Sequence, residues 1–220
     1  MEDIRKIAVI GGGPAGMMAA GTALSYGARV TLYDHAGMLG KKLGITGKGR
    51  CNVTNRCDIT QFLENTTKNP HFLYSALNAF SPEDAIAFFE ELGVPLKTER
   101  GNRVFPQSDK ASSIVNAMRR YAEGAEVLFR HVRSIAKKND GFHVLSDGSE
   151  RVYDAVILAT GGKSYPLTGS DGSGYALAVR LGHTVTELSP SLVPIERKRQ
   201  NIHRNKCYRR FQRQKGRSFR

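Results

Sequence analysis

The order of apolar and polar positions predicts alternating strands and helices at the start of the chain. An apolar run within residues 4–10 predicts a buried parallel strand, and the Ala- and Met-rich residues 14–26 predict a helix that stops at Gly27. The β-branched residues of segment 28–34 predict a second strand. Together they form a βαβ unit, in which a crossover helix joins two parallel strands.

The middle of the chain predicts a loop, helices and a hairpin. Residues 37–56 lack periodicity and are rich in Gly, Lys and Asn. Three helices are predicted, over residues 71–80, 82–92 and 109–122. Ser81 and Asp109 are the expected N-caps of the last two, since both residue types favour that position. Residues 94–106 predict a hairpin that turns at Gly101–Asn102.

The second half predicts a cluster of short strands. These strands are expected at residues 126–129, 132–137, 142–146 and 153–160. The last one, YDAVILAT, is the most apolar, and a helix over residues 171–181 follows it. Strands alternating with helices predict an α/β fold with a parallel sheet, and the cluster between residues 124 and 152 predicts a small antiparallel β layer.

A glycine turn follows the first predicted strand. Gly11, Gly13 and Gly16 match G-x-G-x-x-G between a strand and a helix. In this motif the first glycine allows a tight turn, the second lets a pyrophosphate approach the backbone, and the third lets helix and strand pack closely. The helix N-terminus offers free N–H groups and a positive dipole end to phosphate. The cofactor contacts predicted here are Gly11, Gly13, Pro14, Ala15 and Gly16.

An acidic residue completes this motif. Asp34 ends the second strand, 18 residues after Gly16, and its carboxylate is expected to accept hydrogen bonds from both ribose hydroxyls. Arg29 does not replace the acid, so nothing favours a 2′-phosphate. The sequence therefore predicts a Rossmann-like FAD/NAD(P)-binding domain. The less favoured alternative is a tight structural turn in an unrelated α/β domain.

The loop after the second strand bears on the choice between NAD and FAD. Its sequence, GKKLGITGKGRCNVTN at residues 40–55, is rich in Gly, Lys, Arg and Asn. Such a loop can wrap a second phosphate and offer donors to an isoalloxazine ring, which favours FAD, with Lys42 as a contact. A solvated basic loop is the alternative. The strand end ILATGG, residues 157–162, either lets the backbone pass close to a ligand or is an ordinary turn.

Four stretches resemble a family of bacterial flavoproteins. They are VIGGGPAGMMAA, GKKLGITGKGRCNVTN, DAVILATGGKSYPLTGSDGSGYALAVRLGH and PSLVPI, in that order, and they span most of residues 4–195. GKGRCNVTN is more distinctive than the glycine turn. The resemblance is to the YhiN-like or BaiN-like NAD(P)/FAD-dependent oxidoreductases.

The resemblance implies a cofactor and its contacts. Members of such a family are expected to hold FAD tightly in a doubly wound domain, with an inserted domain after its first half. The glycine turn would touch the pyrophosphate and Asp34 the ribose. A second set of residues would lie along the flavin or where the chain returns to the cofactor: Gly47, Arg50, Cys51, Asn52, Thr160, Gly161 and Gly162.

The positive charge is concentrated at the end of the chain. Of the net charge of +13, the last 25 residues hold eleven Lys and Arg and one acid, Glu196, which gives +10. The first 195 residues hold 22 bases and 19 acids, which gives +3. Residues 196–220 are therefore expected to be a basic tail that is disordered or that reflects an altered reading frame. Phosphate binding by this tail is the less favoured alternative. Nucleic acid is therefore not an expected partner in our interpretation.

The resemblance and the composition change at the same point, after Pro194–Ile195. This coincidence favours a truncated or frame-altered chain, in which residues 1–195 form the FAD-binding domain. The inserted domain and a late glycine-rich segment of the family are then expected to be missing.

Cysteine and histidine patterns do not predict a metal site. Cys51, Cys57 and Cys207 are odd in number and lack zinc spacing, which also argues against a disulfide framework. Cys51 is either a redox-active thiol with a lowered pKa or, as we favour, a small residue near the cofactor. The scattered histidines, among them His131 and His143, are expected to be surface or structural residues. We also expect a cytoplasmic chain without a membrane partner, since no signal peptide or spanning run is evident.

Two functions follow from these observations. The first is an oxidoreductase in which FAD passes electrons from NADH or NADPH to an organic small molecule or to oxygen. The second is an inactive fragment of such an enzyme, or one that binds FAD or ADP weakly. No catalytic acid or base can be named from the sequence.

Overall fold

A four-stranded parallel sheet forms the centre of the fold. The computed structural model describes residues 4–188. Strand β1 (Lys6–Ile10) lies between β2 (Arg29–Tyr33) and β10 (Ala155–Leu158), and β6 (Glu126–Leu128) pairs with the other side of β2. The α/β fold with a parallel sheet is therefore confirmed. Because all four strands are parallel, their carboxyl ends meet at one edge of the sheet, although the strands come from distant parts of the chain.

Two small antiparallel sheets flank this centre. Their strands are, in spatial order, β3 (Thr54–Asn55), β5 (Arg103–Pro106) and β4 (Leu96–Glu99), and then β7 (Val132–Lys138), β8 (Gly141–Ser146) and β9 (Ser149–Tyr153). The predicted hairpin and antiparallel layer are confirmed. Strand β6 is an exception, because we placed it in the antiparallel cluster and it joins the parallel sheet, with Val127 opposite Leu32. A short apolar strand does not reveal its partner by periodicity alone.

Six α-helices pack around the sheets in the part of the chain that is described. They are α1 (Pro14–Ser25), α2 (Ile59–Glu64), α3 (Tyr74–Ala79), α4 (Pro82–Glu91), α5 (Ala111–Tyr121) and α6 (Ser173–Arg180). Short 3-10 segments occur at Leu43–Gly49, Pro70–Leu73 and Pro166–Thr168. The helix predicted over residues 71–80 is thus divided between a 3-10 turn and α3, and α2 was not predicted.

The N-cap predictions had different outcomes. Ser81 caps α4 in a capping box: its hydroxyl accepts from the Asp84 amide at 3.1 Å, and the Asp84 carboxylate accepts from the Ser81 amide at 2.8 Å. Asp109 is not the cap of α5, since that position is held by Lys110. Asp109 has a left-handed backbone, with φ of 55°, and its carboxylate instead binds Lys97 at 2.6 Å.

Replacing Ser81 with alanine is expected to lower the free energy of unfolding by about 1 kcal/mol, because a first-turn amide of α4 loses its acceptor. Denaturant unfolding followed by far-UV circular dichroism measures the change. Ser112→Ala, at an exposed site in the first turn of α5, is the matched control and should change little. Equal losses in the two variants would contradict the capping role.

The core has two parts, one on each side of the parallel sheet. On one side, α1 packs on β1 and β2, and α5 packs on α1, through buried residues such as Met17, Val30 and Met118. On the other side, Tyr33 and Tyr153 join the parallel sheet to β9, with their hydroxyls hydrogen-bonded at 2.7 Å. This second contact fixes the β7–β9 sheet beside the end of β2, where the candidate site lies.

His143 links β8 to two carboxylates. Its Nδ1 lies 2.7 Å from Glu150 Oε1, and its Nε2 lies 2.8 Å from Asp140 Oδ1. These hydrogen bonds, that of Glu150 foremost, raise the pKa of His143 above its ordinary value. Both ring nitrogens can donate only in the protonated ring, so the pair of carboxylates favours the imidazolium.

The raised pKa of His143 predicts a pH dependence of stability. The stabilisation is complete below the ordinary histidine pKa of about 6.5 and is lost as the pH rises through the higher pKa of the folded state. Unfolding by urea between pH 5.5 and 9 should therefore show a decline that His143→Gln removes. His71→Gln, at an exposed site, should keep the decline of the parent protein. Identical pH profiles for the parent and His143→Gln would refute this role.

The chain divides into the unit Met1–Val185, which holds all the elements above, and the unit Thr186–Arg220. The predicted boundary at residue 195, the basic tail and Cys207 lie outside the described residues. Among residues 4–188 no helix has the length and apolar character needed to cross a membrane.

Candidate functional site

A cavity of about 570 Å³ opens at the carboxyl ends of the parallel strands. Its wall contains residues that follow each of the four strands: Gly11–Ala15 after β1, Asp34 and His35 after β2, Arg130–Val132 after β6 and Ala159–Gly161 after β10. In open parallel sheets, ligands bind in the crevice beyond this edge. The size falls in the range of small-molecule sites.

The three motif glycines have different structural roles. Gly11 has φ of 113°, and a Cβ there would overlap the backbone carbonyl of Ala159. A Cβ on Gly16 would overlap the carbonyl oxygen of Gly11, so this glycine lets α1 pack against the turn. By contrast, a Cβ on Gly13 would meet no atom within 4 Å. Gly13 therefore leaves open space where a ligand can approach the backbone.

The N-terminus of α1 points its free amides toward this space. The helix begins at Pro14, and its N-cap Gly13 supplies no side chain. The Met17 amide donates to the Gly13 carbonyl at 2.9 Å, which is the first hydrogen bond of the helix. The amides before Met17 have no acceptor within the helix, and they add to the positive end of its dipole. Gly13, Pro14 and Ala15 line the cavity, so this end is suited to bind an anionic group.

Asp34 lies in the cavity wall and is held by two backbone amides. Its Oδ2 accepts from the Gly12 amide at 2.7 Å, and its Oδ1 accepts from the Ala36 amide at 2.7 Å. A carboxylate has about four acceptor positions, so each oxygen keeps one for a ligand hydroxyl. The contact between Asp34 and a ribose stays a prediction. The two hydrogen bonds from backbone amides were not anticipated from the sequence.

The loop of residues 40–55 contributes only its first part to the cavity. Lys41 and Lys42 line it, and the Lys42 ammonium donates to the Ser164 carbonyl at 2.6 Å. Partial burial lowers the pKa of Lys42. Four residues that we assigned to the flavin side do not line this cavity, namely Gly47, Arg50, Cys51 and Asn52. Their contact with a cofactor stays a prediction.

Arg50 has protein partners instead. Its guanidinium forms ion pairs with Glu99 and with Asp109, the latter at 2.6 Å, and lies over the ring of Phe105 at 4.2 Å from the centroid. The hydrogen bond from Arg50 holds the pKa of Glu99 below its usual range, and hydrogen bonds from Lys97 foremost and then from Arg50 do the same for Asp109. Arg50 therefore fastens the loop to the β4–β5 hairpin.

Cys51 is buried in the core of the domain. Its side chain is 1% exposed, and burial raises the pKa of the thiol while a hydrogen bond with Thr46 lowers it to a lesser extent. Burial therefore disfavours the alternative of a redox-active thiol with a lowered pKa.

The end of β10 forms another part of the wall. Thr160 and Gly161 line the cavity, whereas Gly162 does not. A Cβ on Gly174 would overlap the Thr160 hydroxyl, so the start of α6 packs directly on this strand end. Gly161 has φ of 73°, a backbone angle that glycine adopts without strain.

A cluster of titratable residues completes the cavity at the β2 and β6 side. The rings of His35 and His131 meet edge to face with centroids 5.1 Å apart, and His35 Nε2 lies 3.6 Å from Asp171 Oδ2. Burial foremost, and then Arg133, lowers the pKa of His131, and its Nδ1 is buried without a hydrogen-bond partner. We expected His131 to be a surface or structural residue, and the structure places it in the wall of the cavity. No motif marks this cluster, because parallel pairing of β2 and β6 brings it together.

Potential metal ligands are dispersed in the described part of the chain. Within residues 4–188, no three side chains of His, Cys, Asp or Glu are arranged to hold a metal ion.

The glycine turn and Asp34 lie in the wall of one cavity at the edge of the parallel sheet. This arrangement defines a Rossmann-like α/β domain. The chain matches the family described as "HI0933-like protein Rossmann domain" over residues 5–207, and it belongs to this family. The resemblance to the YhiN-like or BaiN-like group is thereby confirmed. The match extends past Ile195 into the basic segment.

Two relatives with named activities are similar over most of this chain. A 3-dehydro-bile acid delta(4,6)-reductase of Clostridium scindens is 37% identical over 201 residues, which is 89% of this chain and 48% of the relative. A ribosomal RNA dihydrouridine synthase of Escherichia coli is 34% identical over 190 residues, which is 84% of this chain and 46% of the relative. The chain thus spans about half the length of these relatives.

Solved structures support the fold. The apo form of the Sdh1 complex of Mycobacterium smegmatis aligns with a TM-score of 0.58 and 18% identity, covering 80% of this chain and 38% of that chain. At this level of identity the likeness concerns the fold alone.

Proposed function

We propose that this chain forms the dinucleotide-binding half of an FAD-dependent oxidoreductase. The observation that carries the proposal is the meeting of Gly13, the α1 N-terminus and Asp34 in one cavity. Each supplies what one part of an adenosine diphosphate needs: open backbone, N–H donors for phosphate and acceptors for ribose hydroxyls.

The charges and unfilled groups of the cavity support an anionic dinucleotide. Lys41, Lys42 and Arg130 line it together with the helix N-terminus, and a pyrophosphate is an anion. The space beside the Gly13 backbone is open, and a Cβ on this residue would occupy part of it. The buried Nδ1 of His131 lacks a hydrogen-bond partner. These features fit a ligand that covers the sheet edge from β1 to β6.

The roles of the chain's own residues follow from their positions. The α1 amides and Gly13 would hold the pyrophosphate, Asp34 would orient the ribose, and Thr160–Gly161 would bring the backbone near the cofactor. The chemistry supplied by bound FAD is two-electron transfer from NADH or NADPH to an organic acceptor or to oxygen.

A small molecule is the first candidate for the acceptor. The bile-acid reductase, at 37% identity, acts on a small molecule by its name, and this supports the choice. Ribosomal RNA is a second candidate, because a relative at 34% identity is named for an activity on it. A third possibility for the chain is a fragment that binds FAD or ADP weakly, since it covers about half of both relatives.

The decisive experiment is the absorption spectrum of the purified protein. Bound FAD should give flavin bands that remain after desalting and that NADH or NADPH bleaches under anaerobic conditions. A protein that binds added FAD without being bleached would support the weakly binding fragment. A colourless protein that takes up neither FAD nor ADP would refute both forms of the proposal.

RNA as a substrate or partner has its own test. Binding of a ribosomal RNA fragment should weaken steeply with salt if phosphate contacts carry it. A chain that ends at residue 195 lacks +10 of the net charge of +13 and serves as the matched variant. RNA binding that survives this truncation would place the RNA contacts on residues 1–195. If the full chain does not bind RNA, the small molecule is the remaining candidate for the acceptor.

A further inference from the structure

The start of the 40–55 loop belongs to the candidate site. The Gly40 amide donates to the Gly12 carbonyl at 2.8 Å, so the loop begins against the glycine turn that lines the cavity. Lys41 and Lys42 follow at once and also line the cavity. Their positions matter for an anionic ligand, because the attraction between an ammonium group and a phosphate depends on the distance between them.

The far end of the same loop is bound by a charged cluster outside the cavity. Two acids accept hydrogen bonds from Arg50: its Nε donates to Asp109 Oδ1 at 2.8 Å, and its Nη2 donates to Glu99. Lys97 Nζ lies 2.6 Å from Asp109 and 3.5 Å from Glu99, so two cations and two carboxylates form one network. We call these four residues the Arg50 cluster. None of the four lines the cavity.

The turn that presents Arg50 has an unusual backbone. Positive φ angles occur at four of its residues, namely 55° at Gly47, 60° at Lys48, 85° at Gly49 and 62° at Cys51. Two of these residues are not glycine, and the left-handed conformation costs free energy in a residue with a Cβ. Such a backbone persists where the surrounding contacts hold it. The ion pairs of Arg50 supply contacts of this kind, together with the burial of Cys51.

Hydrogen-bonded turns connect the two ends of the loop. The Ile45 amide donates to the Lys42 carbonyl at 3.1 Å, and the Cys51 amide donates to the Thr46 carbonyl at 3.0 Å. The segment Leu43–Gly49 contains no buried residue, so it depends on its two attachments. A displacement at the far end can therefore be transmitted through a short hydrogen-bonded segment to Lys42.

We propose that Arg50 is a positioning residue for the bound nucleotide, because the Arg50 cluster sets where Lys41 and Lys42 stand in the cavity. The proposal rests on the proposed function, since it assumes that the cavity takes a dinucleotide. It differs from a contact between Arg50 and the flavin. The guanidinium acts through the two lysines and touches no ligand.

The expected consequence is weaker nucleotide binding when the Arg50 cluster is broken. In Arg50→Gln the loop keeps its attachment at Gly40 and the hydrogen bond from the Val53 amide to the Val104 carbonyl at 2.9 Å, so the variant is expected to fold. The segment between these attachments gains freedom, and the lysines spend less time near the phosphates. For two partly exposed ion pairs, the Kd for ADP should rise about three- to tenfold.

The first experiment is a double-mutant cycle measured by isothermal titration with ADP. The effect of Arg50→Gln is compared in the parent protein and in a variant that carries Lys41→Gln and Lys42→Gln. In this second background the effect should fall below about twofold, because the lysines through which Arg50 acts are gone. Glu99→Gln should repeat the effect of Arg50→Gln in the parent protein, since it breaks the same cluster.

A direct contact between Arg50 and the ligand gives the opposite pattern. Arg50→Gln would then keep its full effect without the two lysines, and Glu99→Gln would not repeat it; either result overturns the proposal. Ser81→Ala is the control for lost stability, because it weakens α4 outside the cavity and should bind ADP as the parent protein does.

The second experiment needs no ligand, so it separates this proposal from the proposed function. Amide hydrogen exchange of residues 43–51 should be about threefold or more faster in Arg50→Gln than in the parent protein, and unchanged in Ser81→Ala. Unchanged exchange in Arg50→Gln overturns the proposal even where ADP binds, and the proposed function then stands. If the parent protein binds neither ADP nor FAD, the proposed function fails. Faster exchange would then leave the Arg50 cluster with a structural role only, which also overturns the proposal.

Discussion

Replacing Gly11 with alanine is expected to destabilise the whole domain. The new Cβ would overlap the carbonyl oxygen of Ala159 and lie too close to Thr160 Cα, and neither backbone can move aside without separating β10 from β1. The positive φ of 113° adds backbone strain. Together these effects should lower the free energy of unfolding by about 3 kcal/mol or more. The melting temperature should then fall by about 6–12 °C.

Gly13→Ala is the matched variant, because it separates the fold from the binding site. Gly13 has a negative φ of −75°, and a Cβ there meets no atom within 4 Å. Its stability should therefore stay within about 0.5 kcal/mol of the parent protein. A methyl group would occupy the approach to the helix N-terminus, so the affinity for FAD or ADP should fall by about tenfold or more. A stable Gly11→Ala, or a Gly13→Ala that binds as the parent does, would contradict this division of roles.

The second large effect is expected at Asp34. In Asp34→Asn, one of the two amides from Gly12 and Ala36 faces an NH₂ group instead of an acceptor oxygen. The loss of one charge-assisted hydrogen bond should lower the free energy of unfolding by about 1–3 kcal/mol. The variant also loses acceptors for ribose hydroxyls. Isothermal titration with ADP should therefore show an increase in Kd of about tenfold or more.

Asp58→Asn is the control for Asp34. Its carboxylate also accepts a hydrogen bond from a backbone amide, that of Gln61 at 2.7 Å, but it caps α2 outside the cavity. It should therefore lower stability without changing the Kd for ADP. If the two variants weakened ADP binding equally, the effect of Asp34 would come from general destabilisation and not from a contact with the ribose.

Local sequence signals predicted the elements whose residues interact with near neighbours. The βαβ unit, the hairpin that turns at Gly101–Asn102 and the cap at Ser81 all depend on periodicity or on residues three positions apart. Such signals do not assign a partner to a short strand, and so β6 was placed in the wrong sheet. The same limit applies to Asp109, whose distant partners Arg50 and Lys97 outweigh its preference for a cap.

The sequence by itself determined the Rossmann-like class of this protein, the glycine turn and the acid that belongs to it. These features follow from the spacing of residues 11–34, which are close in the chain and therefore close in space. Only the tertiary structure brought His35, His131 and Asp171 together and separated Arg50 and Cys51 from the cavity wall. The physical reason is that parallel pairing aligns strand ends that lie far apart in the chain, and no local pattern encodes which ends will meet.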